Sequence, residues 1–389
     1  MSLPNIEQLI DALRPVQDPE LHRSIVDLGM VRDVEINPSG AVSLTVVLTI
    51  SGCPLRNEIQ QRVNTALRAL DGVKDVALNF GVMTDAERAK VRELVHGDPA
   101  ATAGSTPAQG HSEGRKISFA QPGSKTRPIL ISSGKGGVGK SSVTTNLAVA
   151  LATAGYKVGV VDADIYGYSI PRMLGTDRDP VVIDNMLLPP EAWGVRCISI
   201  GYFVPEGQAV VWRGPMLHKA LEQFLTDVYW DEPDFLLIDM PPGTGDIALT
   251  LAQSVPVAGA VIVTTPQDIA LIDARKGLKM FEKVNVPILG IVENMAIHIC
   301  SQCGHAEPIF GQGGGERMAA EYNAPWLGSL PLTLTIREQA DAGQPVVVSH
   351  PEGEAARLYR EIAARLAGRV AILPKDLSDK FGAIAVKRT

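Results

Sequence analysis

The feature that most constrains this chain is the stretch GKGGVGKS at residues 134–141, which fits the pattern G-x-x-x-x-G-K-[ST]. It follows an apolar run, RPILIS (127–132), and precedes a helical pattern beginning at Ser141, as this motif requires. Glycines allow successive backbone N–H groups to turn toward phosphate oxygens, and the N-terminus of the next helix adds a favourable dipole. The sequence therefore predicts a loop that binds nucleotide phosphates.

The side chains of this loop have expected roles in binding a nucleoside triphosphate. Lys140 is expected to reach the β- and γ-phosphates, and the Ser141 hydroxyl to ligate Mg²⁺. The predicted nucleotide contacts are Gly134, Gly136, Gly137, Val138, Gly139, Lys140, Ser141 and Ser142.

Carboxylates stand where such a site needs them. Asp239 ends the apolar run DFLLID (234–239), the position of the acid that orients the magnesium hydration shell in phosphate-loop NTPases. Asp162 and Asp164, in VDADIYG, end another apolar run, at the edge where open α/β sheets bind ligands. One of these two is a candidate to orient the attacking water; the alternative is that they cap a helix or close a turn.

The loop also carries a second lysine, Lys135. Lys140 already contacts the phosphates of the nucleotide bound to the same chain. An extended Lys135 side chain can therefore point across an interface, toward the nucleotide bound to a facing copy. The alternative is a solvated surface lysine, which is the usual state of a loop lysine.

A C-x-x-C pair, Cys300 and Cys303, lies in NMAIHICSQCGH (294–305), and this spacing lets two thiolates face one metal. A tetrahedral site needs four ligands, and the sequence contains no second C-x-x-C. His298 and His305 are one candidate for the missing pair of ligands, and they would complete a zinc site within one chain. The alternative is the same two cysteines of a second copy, which would give a Cys₄ site on a two-fold axis. A redox dithiol is a third interpretation, although the motif does not open a helix as in thioredoxins. Lys135 and the half-complete ligand set both favour a homodimer.

The chain of 389 residues is long enough for two domains. Residues 97–126 are rich in Gly, Ala, Ser, Thr and Pro and predict a flexible linker. Before it, residues 1–96 predict a small α+β domain with helices near 5–14 and 54–70 and strands near 30–36, 42–50 and 73–80. After it, residues 127–389 predict an α/β domain whose near-continuous apolar strands indicate a mostly parallel sheet flanked by helices. Those strands are expected at 127–132, 157–163, 234–239, 259–265 and 286–292.

Composition narrows the partners. A net charge of -7 argues against broad electrostatic capture of nucleic acid or anionic membrane. No apolar run approaches the roughly 20 residues of a membrane span, and the N-terminus lacks the pattern of a signal peptide. Four cysteines do not make a disulfide framework in a chain of this length, so we expect a cytoplasmic protein.

The sequence resembles the Mrp/ApbC family of iron–sulfur cluster carrier ATPases, within the class that includes MinD, ParA and the nitrogenase iron protein. The resemblance spans most of 127–370, and its most specific part is DMPPGTGD (239–246) combined with the downstream C-x-x-C. It implies that ATP is the nucleotide and that a [4Fe–4S] cluster is bridged by Cys300 and Cys303 of two chains and handed to apo-proteins.

The resemblance also implies residue roles. Lys135 matches the signature lysine that contacts phosphate of the opposing subunit's nucleotide, Asp164 the acid that orients water, and Asp239 the acid associated with Mg²⁺. Asn294, by similarity, contacts the adenine; the alternative is an asparagine that caps a turn.

The N-terminal domain resembles the MIP18-type domain, through DPELHRSIVDLGMV (18–31) and TISGCPLRNEI (49–59). Cys53 precedes a predicted helix, whose dipole favours the thiolate. A role in cluster handling and a buried structural thiol remain alternatives for this cysteine.

Two other functions remain open from the sequence. A MinD- or ParA-like positioning ATPase predicts a basic surface or a C-terminal amphipathic anchor, and the tail DLSDKFGAIAVKRT is short and weakly amphipathic for that. A zinc-binding ATPase with a regulatory role would use the same two cysteines.

Overall fold

The structure is a computed structural model. It describes residues 3–19, 21, 23–48, 56–84, 86–87, 90–91, 117, 119, 123–164, 167–176, 178–183, 186–204, 214–243 and 257–374, with backbone alone for 214–218. The chain divides into two compact units, Met1–His111 with Val181–Leu188, and Ser112–Pro180 with Pro189–Thr389. Most of the predicted linker, and also Cys53, lie outside the described residues.

The described residues before the predicted linker form a small α+β fold, as predicted. Its elements in chain order are α1 (Ile6–Leu13), β1 (Val31–Ile36), β2 (Ala41–Leu48), α2 (Arg56–Arg68) and β3 (Asp75–Val82). The sheet has the order β1-β2-β3, with β1 antiparallel and β3 parallel to β2. Asn5 begins α1 because its side chain accepts a hydrogen bond from the backbone of Gln8, whose own side chain bonds back to Asn5.

The rest of the chain alternates strands and helices. The strands are β4 (Arg127–Ser133), β5 (Val158–Asp162), β6 (Val181–Ile183), β7 (Met186–Leu188), β8 (Glu191–Ala192), β9 (Val195–Ser199), β10 (Phe235–Asp239), β11 (Gly259–Thr264), β12 (Ile288–Glu293), β13 (His298–Ile299), β14 (Ala306–Glu307) and β15 (Trp326–Ser329). The helices are α3 (Lys140–Thr153), α4 (Ile170–Leu174), α5 (Gly214–Thr226), α6 (Asp268–Lys283), α7 (Gly314–Glu321), α8 (Leu334–Asp341), α9 (Val346–Ser349) and α10 (Glu354–Ala371).

Among the described residues, the central sheet has eight strands in the order β15-β12-β11-β4-β10-β5-β9-β8. All neighbours are parallel except β8, which pairs antiparallel with β9 at one edge. Strands β5, β9, β10 and β11 are buried along their whole length, which explains their apolar runs. The mostly parallel α/β sheet predicted from the sequence is confirmed.

The sheet brings three functional segments to one edge. β4 lies in the middle and leads directly into the phosphate loop, with β10 as its neighbour. In register across β10, Asp239 pairs with Ile131 of β4 on one side and with Asp162 of β5 on the other. The carboxyl ends of these strands therefore place both aspartates beside the loop.

The helix that follows the loop, α3, is buried nearly all round. An unbroken series of its residues from Val143 to Leu151 is buried, and the helix packs against α10, α9 and α4. A helix that is apolar on every side belongs in a core, so the N-terminus of α3 is held firmly beneath the phosphate loop. Within the described part of the chain, no helix is long and apolar enough to span a bilayer.

Candidate functional site

The phosphate loop has the backbone conformation that its glycines permit. Gly137 and Gly139 have φ angles of 81° and 79°, a region that side-chain-bearing residues rarely adopt. Gly139 immediately precedes the first residue of α3, Lys140. The loop therefore ends at a helix N-terminus whose free N–H groups and dipole favour an anion.

Gly134 is required for a different reason, which is close packing. A Cβ atom at this position would lie 2.1 Å from the carbonyl carbon of Asp273 and 2.3 Å from the nitrogen of Ala274, both backbone atoms of α6. The start of the loop is therefore pressed against a helix, and this contact fixes where the loop leaves β4.

Asp239 is the centre of a buried group of polar side chains. Its carboxylate accepts hydrogen bonds from Lys140 Nζ at 2.6 Å, Ser141 Oγ at 2.6 Å and Thr144 Oγ1 at 2.5 Å. The Asp239 side chain is 0% exposed and that of Lys140 6%. The lysine predicted to bind phosphate thus has a carboxylate as its counter-charge in this structure. Thr144, which lies one helical turn after Lys140, was not identified from the sequence.

Asp164 and Asp162 lie beside this group but in different surroundings. Asp164 Oδ2 is 3.8 Å from Lys140 Nζ. Asp162 is fully buried and accepts hydrogen bonds from Ser199 Oγ at 3.0 Å and from the backbone of Ile170 at 3.3 Å. The better-exposed Asp164 has the freer carboxylate, whereas Asp162 holds the loop that carries it.

Burial governs the charge of both acids. Loss of solvation, reinforced by the neighbouring Asp239, raises the pKa of Asp162 to about 8, so this acid is largely protonated at neutral pH. Burial also raises the pKa of Asp164, against the opposing attraction of the Lys140 ammonium. Ser199, which donates to Asp162 from the end of β9, was not identified from the sequence; its only signal is its position at a strand end.

Oxygen ligands suited to Mg²⁺ are present. The Ser141 hydroxyl and the Asp239 carboxylate lie within hydrogen-bonding distance of each other, and hard cations prefer such oxygens. The residues fit a magnesium ion held with the phosphates of a bound nucleotide.

Lys135 is half-buried, and its side chain makes no hydrogen bond or ion pair with any residue that the structure describes. Its backbone carbonyl accepts a hydrogen bond from Ser133 Oγ at 3.0 Å, which fixes the turn that carries it. The turn that carries Lys135 is therefore fixed, while its ammonium group has no partner among the described residues.

Asn294 lies against the phosphate loop. It follows β12 directly, is 6% exposed, and its side-chain amide donates to the carbonyl oxygen of Val138 at 2.9 Å. The predicted adenine contact of Asn294 remains a prediction. The structure adds a second role: Asn294 stabilises the phosphate loop through its hydrogen bond to the Val138 carbonyl.

Cys300 and Cys303 lie in the turn of a small hairpin between β13 and β14. The hairpin is closed by hydrogen bonds from Cys300 N to the His305 carbonyl and from Gly304 N to the Cys300 carbonyl, both 2.9 Å. Cys303 is exposed and Cys300 half-buried, whereas Cys197 is buried in β9. The pair is thus presented to an incoming group rather than packed in the core.

The hairpin favours the thiolate form of Cys300. Backbone N–H groups of Gln302 and Cys303 donate to its sulfur and lower its pKa. His298 places its Nδ1 3.3 Å from the Leu332 carbonyl. Within the described ranges, no third His, Cys, Asp or Glu joins the two cysteines as a metal-binding group.

Glu293, which sequence analysis did not single out, fastens the other side of the hairpin. Its buried carboxylate accepts a hydrogen bond from the backbone of Gly315, at the start of α7, at 2.5 Å. Glu293, the last residue of β12, and α7, the helix after the hairpin, are therefore tied together.

A phosphate loop between the central parallel strand and a buried helix, with an acid ending the adjacent strand, defines the class: this is a P-loop NTPase. Comparison with known protein families agrees with this class. The model of the NUBPL iron-transfer P-loop NTPases matches residues 125–367, and that of an iron–sulfur cluster assembly protein matches residues 6–79. The chain belongs to the family of iron-transfer P-loop NTPases, and the resemblance predicted from its motifs is confirmed.

The similarity to known proteins covers most of the chain. The iron–sulfur cluster carrier protein of Deinococcus radiodurans is 45% identical over 379 residues, covering 95% of this chain and 99% of the relative. That of Escherichia coli K12 is 56% identical over 256 residues, covering 64% of this chain and 69% of the relative. A nucleotide-binding protein from Archaeoglobus fulgidus, solved with ADP, is 37% identical with a TM-score of 0.50, covering 57% of this chain and 88% of that one.

Proposed function

We propose that this protein is an ATP-hydrolysing carrier that binds a [4Fe–4S] cluster between two copies of the chain and transfers it to apo iron–sulfur proteins. The observation that carries the proposal is the cysteine hairpin. It presents two thiols, Cys300 with a lowered pKa, at an accessible turn within a P-loop NTPase.

Ligand arithmetic favours a shared cluster. A [4Fe–4S] cluster takes four thiolates, and the hairpin of one chain supplies two. A two-fold axis through the cluster doubles the pair without any further residue, because an isologous interface repeats each ligand. The names of the similar proteins from Deinococcus and Escherichia support the same cargo.

The nucleotide half of the site accounts for hydrolysis by positioning and charge. The N–H groups of residues 136–140 and the Lys140 ammonium would hold the phosphates, while Asp164 would accept a hydrogen bond from the attacking water and orient it. Ser141 and Asp239 would hold Mg²⁺, which supplies charge neutralisation on the transferred phosphoryl group when bound. Lys140 must exchange Asp239 for phosphate, since its ammonium is now paired with that carboxylate.

Lys135 would complete the site of the facing copy. Its side chain has no described partner within its own chain, and a positive charge delivered across an interface stabilises the charge that develops on the phosphates. Nucleotide binding and dimerisation would then reinforce each other.

Metal analysis tests the cargo. Protein purified without oxygen is expected to contain iron and acid-labile sulfide in equal amounts, with visible charge-transfer absorption. The double change Cys300→Ala with Cys303→Ala should remove the iron and leave nucleotide binding intact. Cys197→Ala, in the core, serves as the matched control and should retain the cluster. Zinc without sulfide, or iron retained by the double variant, would refute the proposal.

Transfer is tested separately. The loaded protein is mixed with an apo-enzyme whose activity requires a [4Fe–4S] cluster, and activity should return faster than with free iron and sulfide at equal concentration. No gain over free ions would contradict the carrier role while leaving cluster binding in place.

Complementation between variants tests the dimer. Lys135→Ala and Lys140→Ala are each expected to abolish hydrolysis, whereas an equal mixture should recover about a quarter of wild-type activity, because half of the dimers are mixed and each contains one complete site. No recovery after confirmed subunit exchange would place Lys135 in its own site or on the free surface.

A further inference from the structure

A short connecting segment, residues 294–299, joins the nucleotide site to the cysteine hairpin. It begins with Asn294, immediately after β12, and ends at Ile299, the residue before Cys300. Apart from the predicted adenine contact of Asn294, the proposed chemistry assigns no role to this segment. Its first end is hydrogen-bonded to the phosphate loop, and its second end continues into the cysteine hairpin.

The first end is fastened to the phosphate loop. The Asn294 amide donates to the Val138 carbonyl at 2.9 Å. It lies so close to the loop that a Cβ atom on Gly139 would stand 2.3 Å from Asn294 Nδ2. The backbone N–H of Asn294 donates to the Thr264 carbonyl at 2.8 Å, which holds the residue at the sheet edge. Because Asn294 is buried, no solvent competes strongly for these bonds.

The second end is held in line with the hairpin. Ala296 N donates to the Leu330 carbonyl at 2.9 Å, and Leu332 N donates to the Ile297 carbonyl at 2.7 Å. Ile299 N lies 3.4 Å from the Leu332 carbonyl. The segment from Ala296 onward is therefore paired like a strand, and a displacement at its start is passed on rather than absorbed.

One residue between the two ends is strained. Met295 has a φ of 56°, a left-handed conformation that costs a side-chain-bearing residue roughly 1–2 kcal/mol. Such a conformation persists only where the surroundings fix it, and it is typical of segments that switch between two arrangements. Here it is fixed by Asn294 on one side and the paired Ala296 on the other.

We propose that Asn294 is a positioning residue that couples nucleotide binding to the cysteine hairpin, through the bond of its amide to the phosphate loop. Phosphates bind the N–H groups of the loop, which reorients the Val138 peptide; Asn294 carries that movement into the connecting segment, and the hairpin responds. The inference concerns regulation and rests on the proposed function for its purpose, although the coupling itself exists without bound cargo.

Thiol reactivity in the metal-free, reduced protein measures the coupling directly. The alkylation rate of each cysteine by iodoacetamide is followed by peptide mass spectrometry, without nucleotide and with saturating ADP or a non-hydrolysable ATP analogue plus Mg²⁺. In the wild type, nucleotide should change the rate at Cys300 by about fivefold or more, the lower end of ordinary coupling between sites. In Asn294→Ala the rate should no longer respond to nucleotide, even where binding is shown to be saturated.

Asn146→Ala is the matched control. Asn146 is also buried, and its side-chain amide also donates to a backbone carbonyl, that of Ser142, at 3.0 Å. Its amide oxygen accepts a hydrogen bond from Val347 N at 3.4 Å, so its contacts do not involve the cysteine hairpin. It should keep the nucleotide response. Should Asn294→Ala fail to fold, Met295→Gly decides: glycine accepts the positive φ, so the fold is retained while the link loosens and the response falls.

The outcomes separate the inference from the proposed function. A nucleotide response that survives in saturated Asn294→Ala, or that is lost equally in Asn146→Ala, would overturn the coupling role. An absent response in the saturated wild type would overturn it too, while metal analysis could still establish cargo binding. Conversely, a response that depends on Asn294 would support the coupling even in a protein that carried zinc.

Discussion

Replacing Asp239 by Asn tests the charge arrangement at the centre of the nucleotide site. The substitution keeps the shape of the side chain and removes the carboxylate charge that Lys140, Ser141 and Thr144 share. Lys140 is then left as a buried ammonium whose nearest remaining counter-charge is Asp164, at 3.8 Å.

The expected loss in the free energy of unfolding follows from the burial of this ion pair. Removing one partner of a buried ion pair costs about 3–5 kcal/mol, and Asp164 together with the amide oxygen of the new residue keeps the loss near the lower end. We expect about 3 kcal/mol without nucleotide, which lowers Tm by roughly 6–12 °C for a domain of this size. Asp164→Asn is the control. It removes a charge that is farther from the same lysine, at 3.8 Å, and that burial already disfavours, so it should lower the free energy of unfolding less than Asp239→Asn does.

Thermal unfolding with and without nucleotide gives the decisive comparison. In the wild type, phosphate binding must break the pair between Lys140 and Asp239, whereas in Asp239→Asn the ammonium is already without that partner. ADP in the presence of EDTA should therefore raise Tm more in Asp239→Asn than in the wild type, by linkage between binding and folding. The benefit of Mg²⁺ should disappear, together with hydrolysis.

Two results would refute this reasoning. An unchanged Tm of Asp239→Asn without nucleotide would show that the carboxylate is not the counter-charge of the lysine. A nucleotide-induced rise in Tm that is smaller than in the wild type would show that Lys140 does not bind phosphate.

Three further predictions concern single contacts. Gly134→Ala should abolish nucleotide binding in a calorimetric titration, because the added methyl group would stand 2.1 Å from the backbone of Asp273; retained affinity would contradict this packing. Asp162 has a folded pKa of about 8, above its usual 3.8, so its contribution to the free energy of unfolding falls as pH rises between these values. Ser199→Ala removes a hydrogen-bond donor to the ionised form of Asp162. Measured by urea denaturation, it should lower the free energy of unfolding more at pH 9 than at pH 6; equal losses would contradict the raised pKa of Asp162. The alkylation rate of Cys300 should rise with pH about a midpoint below that of an ordinary thiol, because backbone N–H groups stabilise its thiolate; a midpoint at or above the ordinary value would show that those bonds are absent.

Much of the fold was predictable because its signals are local. The apolar runs at 127–132, 157–163, 234–239, 259–265 and 286–292 became β4, β5, β10, β11 and β12, and no end differs by more than two residues. Short strands such as β15, with four residues, carry too little pattern to be recognised, and β8 joins the sheet only through its pairing with β9.

The candidate site was predictable in its parts and not in its connections. Spacing identified Lys140 and Asp239, but no spacing rule relates Thr144 or Ser199 to an acid in another strand. The choice between Asp162 and Asp164 likewise depended on burial: one is enclosed by Ser199 and Ile170, and the other faces Lys140.

The sequence by itself determined the chemistry available to this protein: a glycine-rich loop that can only follow a strand and precede a helix, acids at strand ends, and one pair of thiols. The tertiary structure decided how these parts act on one another. Only the folded chain sets the amide of Asn294 against the carbonyl of Val138, 156 residues away. It alone removes water from around Asp162 and Asp239, and hydrogen bonds and charges of this kind depend on distance and solvation, which the order of residues does not specify.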